Sequence, residues 1–170
     1  MKYCNTTTIN HPIAQTYSDC LQNINHILFN DSQDCHGYIV PNFENNEIVI
    51  NLDDVETKLT NDLGRLEKNM SMDLAFGLSN SDSTNREMLM VELRLNYLNP
   101  NNLKKEKIDG KVTGSTLALG NHTPIHEKYI FIFKTNQVAE AKNRLFRMIP
   151  TVNSNYIVMD LENLKSTYFN

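Results

Sequence analysis

Residues 129–133, Tyr-Ile-Phe-Ile-Phe, constrain the fold more than any other segment of this chain. The run consists only of aromatic and β-branched side chains, which favour strands and offer no polar face to water. It therefore predicts a central strand that is buried on both faces. A sheet that contains such a strand needs helices on each side, which indicates a layered α/β protein.

Helical and strand-like patterns alternate along the rest of the chain. Apolar residues at spacings of three and four predict helices, and short apolar runs between turn residues predict strands. The predicted helices cover residues 9–29, 53–68, the start of a basic segment after residue 101, and 137–149 up to Pro150, with a terminal turn or helix at 161–169. The predicted strands cover residues 37–40, 47–50, 72–78, 87–96, 129–133 and 156–159. This order predicts an α/β (α+β) fold, a mixed central β-sheet flanked by helices, rather than a bundle or a sandwich.

Two of these helices carry more detailed expectations. The second is expected to start at Asp53 or Asp54 and to turn Glu56 towards water. The basic segment is expected to be helical at first and partly loop later, because Gly110 and Gly114 each weaken a helix by about 1 kcal/mol relative to alanine. The apolar side of the second helix is predicted to consist of Val55, Leu59, Leu63 and Leu66.

Length and composition indicate a single globular domain over residues 1–170, with 40% hydrophobic and 21% charged residues. No apolar run approaches the roughly 18 residues that cross a bilayer, so no membrane association is expected. The first residues lack the apolar stretch of a secretory signal, and a cytoplasmic protein is the default expectation. Three irregularly spaced cysteines, an odd number, indicate reduced thiols rather than a disulfide framework.

The net charge of −4 is unevenly distributed. Residues 1–100 carry 6 basic and 14 acidic side chains, a balance of −8, whereas residues 101–150 carry 9 and 4, a balance of +5. A basic excess of this kind suits either a phosphate backbone or an acidic protein surface, and lysine-bearing solvated helices are the plainer alternative. The candidate phosphate-binding residues are Lys104, Lys105, Lys107 and Lys111.

The predicted strands 72–78 and 87–96 form a hairpin, and they carry carboxylates inside apolar sequence. Asp73 lies at the start of the first strand, and Glu92 lies nineteen positions later in the second. Period-2 alternation places Glu92 and Arg94 on one face of the second strand, together with two methionines. Carboxylates in such segments need a metal, a cation or a hydrogen-bond network to compensate their burial.

Carboxylates on adjacent strands can share a divalent metal through oxygen ligands. Such a metal polarises a phosphodiester and lowers the pKa of a bound water. A cationic group two residues after the second carboxylate would face the same site and stabilise charge on phosphorus. The simpler alternative is that backbone donors satisfy Asp73, while Glu92 and Arg94 form an ordinary ion pair on a solvated face.

Residues 53–134 resemble the PD-(D/E)XK nuclease superfamily, also called the restriction-endonuclease-like fold, with an N-terminal helix and hairpin and a C-terminal helix and strand as additions. The resemblance implies that Asp73 and Glu92 bind Mg²⁺ or Mn²⁺, that the Leu93 backbone carbonyl is a further ligand, and that Arg94 occupies the place of the family's lysine. It also implies an assisting acid on the preceding helix, for which Glu67 or Glu56 is the candidate. The chain departs from the family motif at Met72, where proline is usual, and at Arg94, since arginine stays protonated and cannot act as a base.

Two functions follow as hypotheses. The first is a divalent-metal-dependent nuclease of a defence, repair or mobile-element system, with Asp73, Glu92 and Arg94 as its catalytic residues. The second is a non-catalytic module on the same fold, which binds nucleic acid or a protein partner such as a toxin, in an immunity-like role.

Other motifs carry weaker signals. His122 and His126 have a metal-ligand spacing, but Pro124 between them favours a loop. Cys35 and His36 are neighbours that favour a turn over a nucleophile and base pair. Residues 114–116, Gly-Ser-Thr, lack the complete spacing of a phosphate-binding loop.

Overall fold

A seven-stranded mixed sheet forms the centre of the protein, as the computed structural model shows for residues 1–33, 40–44, 46–149, 151 and 154–170. The strands are β1 (Lys2–Tyr3), β2 (Leu21–Asn23), β3 (Ile48–Asn51), β4 (Leu74–Ser79), β5 (Arg86–Leu93), β6 (Ile125–Ile132) and β7 (Tyr156–Met159). The α-helices are α1 (Asn5–Ile9), α2 (Pro12–Thr16), α3 (Ile24–Ser32), α4 (Leu52–Asp62), α5 (Lys105–Leu119), α6 (Val138–Phe146) and α7 (Leu161–Leu164). Short 3₁₀ turns occupy Ser18–Cys20, Pro100–Asn102 and Thr135–Gln137, and a π-helical turn ends the chain at Lys165–Phe169.

The sheet order is β2-β3-β4-β5-β6-β7, and β1 also pairs with β4. Neighbours from β2 to β5 are antiparallel, whereas β5, β6 and β7 are parallel to one another. Parallel neighbours need a crossover connection, and α5 and α6 supply the two that are required here. The predicted mixed sheet flanked by helices is therefore confirmed.

The central strand β6 is buried on both faces, as its composition predicts. Phe131 packs into the core layer beneath α4, α5 and α6. Ile130 and Ile132 pack into the opposite layer, beneath α3 and α7. The hairpin β4–β5 is also confirmed, because Met88 and Met90 lie in the first layer and the leucine and valine side chains between and after them lie in the second.

The prediction of a single helix over residues 9–29 is wrong. Pro12, which has no N–H, starts the short helix α2 behind the His11 cap, and that helix ends at Thr16. Residues Leu21–Asn23 then pair with β3 as a strand, and the Asn23 side chain caps α3. The apolar residues of this region recur at spacings of three and four because α2 and α3 are two separate helices, each of which buries one side.

Helix α4 differs from its prediction at both ends. Asn51, rather than Asp53 or Asp54, caps its first turn through a hydrogen bond from the Asp54 amide. The helix ends at Asp62, near Gly64 with its positive φ of 62°, so Leu63 and Leu66 are exposed instead of buried. The predicted outward orientation of Glu56 is wrong as well: Glu56 is buried, pairs with Arg65 at 2.8 Å and accepts the Asn69 amide at 2.7 Å.

Helix α5 is regular for fifteen residues, including both glycines, whereas a partial loop was predicted. The glycines let the segment before β4 approach the helix closely. A Cβ on Gly114 would lie 1.9 Å from the Met70 carbonyl oxygen, and one on Gly110 would lie 2.1 Å from the Met70 Cε atom.

The remaining predictions have mixed outcomes. The strands at 47–50 and 156–159 are confirmed, and the helix over 137–149 is confirmed as a 3₁₀ turn followed by α6. The strand at 37–40, the Cys35–His36 pair and Pro150 lie outside the described residues, apart from Val40, which is not in a strand. No helix in the described part of the chain is both long and apolar enough to cross a membrane.

Candidate functional site

Three strand ends meet at one edge of the sheet and bring the predicted carboxylates together. β3 and β5 end at this edge and β4 begins there, since β4 is antiparallel to both. Leu74 pairs with Val91, so the adjoining residues Asp73 and Glu92 lie across from each other. The Leu93 amide donates to Asp73 Oδ2 at 2.5 Å, and the Asp73 carbonyl accepts the Leu52 amide at 3.0 Å.

Glu92 is enclosed by two cations. Its side chain is 1% exposed. Arg94 Nη2 lies 2.8 Å from Glu92 Oε1, and Lys111 Nζ, from α5, lies 2.8 Å from Oε1 and 2.9 Å from Oε2. Burial raises the pKa of Glu92 to about 8, and the nearby Asp73 charge acts in the same direction, while the two cations oppose the shift.

Asp73 shares Lys111 with Glu92 but also reaches solvent. Its Oδ1 lies 3.7 Å from Lys111 Nζ, and its side chain is 20% exposed. Burial raises the pKa of Asp73 to about 6, against the effect of Lys111 and of the Leu93 amide. The two carboxylates therefore face the same ammonium group. This agrees with the expectation, drawn from the hairpin pattern, that Asp73 and Glu92 lie close together.

Asp73 lines an open cleft of about 300 Å³, which we call the carboxylate cleft. Its lining residues are Gln22, Ile27, Asn30, Asp31, Asn51, Asp53, Asp54, Asp73 and Leu93. Within the described residues, Asp31 Oδ2 is buried and has no hydrogen-bond partner, and burial raises the pKa of Asp31. Asp53 is held by Ser71, and Asp54 accepts the Gln22 amide at 2.8 Å.

Arg94 occupies a constrained position beside the pair. Besides its contact with Glu92, its guanidinium lies over the Tyr97 ring at 4.9 Å, and its backbone amide donates to the Ile132 carbonyl at 2.8 Å. The side chain is 17% exposed. Arg94 is thus a fixed cation of the site, in keeping with a role in charge stabilisation and not in proton abstraction.

The four lysines predicted to bind phosphate do not lie at one site. Lys111 turns into the site, whereas Lys104 and Lys107 are exposed to solvent and Lys105 bonds to Asp109 on its own helix. Glu67 is exposed and does not line the carboxylate cleft, and neither does Glu56.

Asp31 was not predicted as a residue of the site, and Lys111 was predicted in a different role. Asp31 follows the apolar part of a helix, and nothing in its neighbourhood distinguishes it from a turn residue. Lys111 was predicted as a phosphate ligand because it belongs to a lysine run. The segment that carries Lys111 was predicted to be helical at first and partly loop later, and the docking of α5 across the sheet is a tertiary feature.

The histidine and Gly-Ser-Thr motifs lie elsewhere. His122 is exposed in the loop before β6, as predicted, whereas His126 lies within β6, where its Nδ1 accepts the Lys128 amide at 2.9 Å. Ser115 is buried inside α5 and accepts the Met72 amide at 2.7 Å. That serine stabilises the approach of the chain to β4.

The donor set of the carboxylate cleft suits a hard divalent cation, because it consists of carboxylate and amide oxygens. Asp73 lines this cleft with a side chain that is 20% exposed, and Asp31 contributes an oxygen that has no hydrogen-bond partner among the described residues. In the described residues, no three acidic, histidine or cysteine side chains are gathered into a ready-made metal site. Glu92 can act as a metal ligand only if the metal replaces Lys111 or Arg94 at its carboxylate oxygens.

Comparison with known proteins finds no matching family, no matching curated protein and no matching solved structure.

Proposed function

We propose that this chain is a divalent-metal-dependent nucleic-acid phosphodiesterase on a restriction-endonuclease-like sheet. The observation that carries the proposal is the convergence of Asp73 and Glu92 on Lys111 Nζ, at 3.7 and 2.8 Å, beside a cleft with three further aspartates. Carboxylates that can hold a divalent metal, next to cations that can face phosphate oxygens, are suited to metal-assisted phosphodiester cleavage.

Each residue has a distinct task in this proposal. Asp73, with Asp31, would hold Mg²⁺ or Mn²⁺ in the carboxylate cleft, and Glu92 would complete the acidic pair. A bound metal supplies Lewis acidity and a water of lowered pKa. Lys111 and Arg94 would then face the phosphate oxygens and stabilise their charge, because neither cation remains fully engaged by Glu92 once the metal shares it.

The elevated pKa values of the two carboxyl groups set a pH requirement. Metal ligands must be deprotonated, so binding competes with protons at Asp73 below about pH 6 and at Glu92 below about pH 8. Assays therefore belong at pH 8 or slightly above.

The test is incubation of the purified protein with plasmid and with single-stranded DNA and RNA in Mg²⁺ or Mn²⁺. We expect the parent to cut, and Asp73→Asn to lose at least about 100-fold in rate, since this removes a group that organises transition-state charge. Glu127→Gln is the matched control, because Glu127 is exposed and lies outside the cleft. Equal cutting by Asp73→Asn would assign the activity to a contaminant, and no cutting by the parent on any substrate would reject the proposal.

Calorimetry with Mn²⁺ gives a readout that is independent of turnover. The parent and Glu127→Gln should give the same binding heat at pH 8, and Asp73→Asn should give none.

A second function is favoured by one observation, the enclosure of Glu92. Both of its oxygens are bound by Lys111, and one is also bound by Arg94, which is the arrangement of a structural ion-pair network. In that case the chain is a non-catalytic module that binds nucleic acid or a protein partner. It would show neither cutting nor Mn²⁺ heat.

A further inference from the structure

A second cleft, of about 340 Å³, lies between the start of α5 and the end of α6, and we call it the basic cleft. Its lining residues are Lys104, Lys105, Glu106, Arg144, Arg147, Met148 and Ile149. Four cations thus surround one carboxylate in a protein whose net charge is −4. The carboxylate cleft shares none of these residues.

Among the described residues, three of the four cations have no acidic partner to neutralise them, namely Lys104, Arg144 and Arg147. Across the described residues, no carboxylate lies within ion-pair distance of Lys104 or Arg147, and both side chains are exposed. Lys105, by contrast, is paired with Asp109. The cleft therefore has uncompensated positive charge at its rim.

The other walls of the cleft are fixed in place. Arg144 Nη2 donates to the Leu103 carbonyl at 3.0 Å, which joins α6 to the segment before α5. Helix α5 begins here, and Lys104 at its N-cap position provides no side-chain cap, so the positive end of this fifteen-residue helix adds to the field of the cations.

Exposed apolar side chains lie at the end of α6, close in sequence to the cations of the basic cleft. Ile149 lines the cleft and is 95% exposed. Phe146 precedes Arg147, is 85% exposed, and lines a separate pocket with Lys142 and Tyr156. A single strand of nucleic acid combines a charged backbone with flat bases that stack on aromatic rings.

We propose that the basic cleft binds the backbone of single-stranded nucleic acid, and that a base of the same strand stacks on Phe146. This inference extends the proposed function. It rests on the proposed function only in the choice of nucleic acid as the ligand. It also assigns the backbone phosphate contacts in this cleft to Lys104, Arg144 and Arg147, whereas Lys111 lies outside the cleft, at the carboxylate pair.

Binding is measured by fluorescence anisotropy with a labelled oligothymidylate in EDTA, over a series of salt concentrations. The double variant Lys104→Ala/Arg147→Ala removes two phosphate contacts, so the slope of log K against log salt should fall by about 1.4, or about 25-fold in affinity near 0.1 M salt. Lys68→Ala/Lys128→Ala removes the same charge from exposed lysines that line neither the basic cleft nor the pocket of Phe146, and it should leave the slope unchanged. Phe146→Ala should weaken binding about 5-fold or more at every salt concentration without changing the slope.

Three results would overturn the inference. They are no binding by the parent, an equal loss of slope in both double variants, or equally tight binding of poly-glutamate, which would assign the cleft to an acidic protein. Because EDTA removes any metal, binding is measured independently of cleavage. A protein that fails to cut nucleic acid can therefore still confirm this inference. Binding that fails while cutting persists rejects the inference and keeps the proposed function.

Discussion

Lys111 controls the charge of the carboxylate pair, since it is the side chain that contacts both Asp73 and Glu92. The two acids carry pKa values raised to about 6 and about 8 because burial disfavours their ionised forms. A carboxyl group whose pKa is higher in the folded than in the unfolded state stabilises the fold most at low pH. That contribution is lost as the pH rises through the folded-state pKa.

Lys111→Met should therefore destabilise the protein more at pH 8 than at pH 5. At pH 8 it leaves buried carboxylates without a shared cation, for which we expect a loss of about 3–5 kcal/mol in the free energy of unfolding. At pH 5 both carboxyl groups are largely protonated in the folded state, so the loss should be smaller. Urea unfolding at the two pH values measures the difference.

The matched control for this change is Lys107→Met, on the same helix but exposed and without an ion pair among the described residues. It should alter stability at neither pH. Equal losses for Lys111→Met at both pH values would show that the packing of the lysine stem, and not its charge, stabilises the site.

At the scale of single residues, the two acids of the site were predictable from the sequence, but the side chains around them were not. Asp73 and Glu92 were predictable because charge inside an apolar strand is conspicuous. The pairing of Glu92 with Lys111 was not, because it depends on how α5 crosses the sheet. The same holds for Glu56, which a helical pattern placed in water and which Arg65 instead neutralises in the interior.

At the scale of elements, the hairpin and the central strand were predictable because period-2 alternation and short, continuous β-branched and aromatic runs are typical of strands and rare in helices. Residues 9–29 were not, because two short helices and a strand reproduce the spacing of one long helix. Pro12 was the available signal of the break. The regularity of α5 was also missed, since its glycines serve close packing and not a turn.

Gly114→Ala tests whether the glycines of α5 serve close packing. The added Cβ meets the Met70 backbone carbonyl, which cannot move alone, so we expect a loss of about 1–3 kcal/mol despite the better helix propensity of alanine. Thermal or urea unfolding provides the measurement.

Gly110→Ala is the paired control within the same helix. Its Cβ meets only the end of the Met70 side chain, which is 47% exposed and can turn away. The variant should be neutral or more stable by up to about 1 kcal/mol. Similar losses at both positions would contradict the role given to backbone contact at Gly114.

At the scale of the whole molecule, the α/β class was predictable from the alternation of elements, because a strand buried on both faces allows few architectures. The strand order was not, since pairing depends on contacts between distant residues. Both strands of the hairpin, β4 and β5, contribute side chains to each of the two core layers. Because the layers are joined in this way, we predict one cooperative unfolding transition for the chain.

Phe76→Ala and Phe131→Ala probe the two layers separately, for each phenylalanine is almost fully buried on its own side of the sheet. Each should lose about 3–5 kcal/mol. Circular dichroism and tyrosine fluorescence should report the same midpoint in each variant. Separate transitions for the two probes would show that the layers unfold independently and would contradict a single domain.

The order of residues along the chain has a consequence during synthesis. The ribosome delivers Asp73 and Glu92 before Lys111, so the hairpin emerges with both acids before the cation that they share exists. Until α5 arrives, Arg94 is the cation of the site that accompanies the pair. The arrival of one helix thus covers the hairpin and balances the charge of the two acids in a single event.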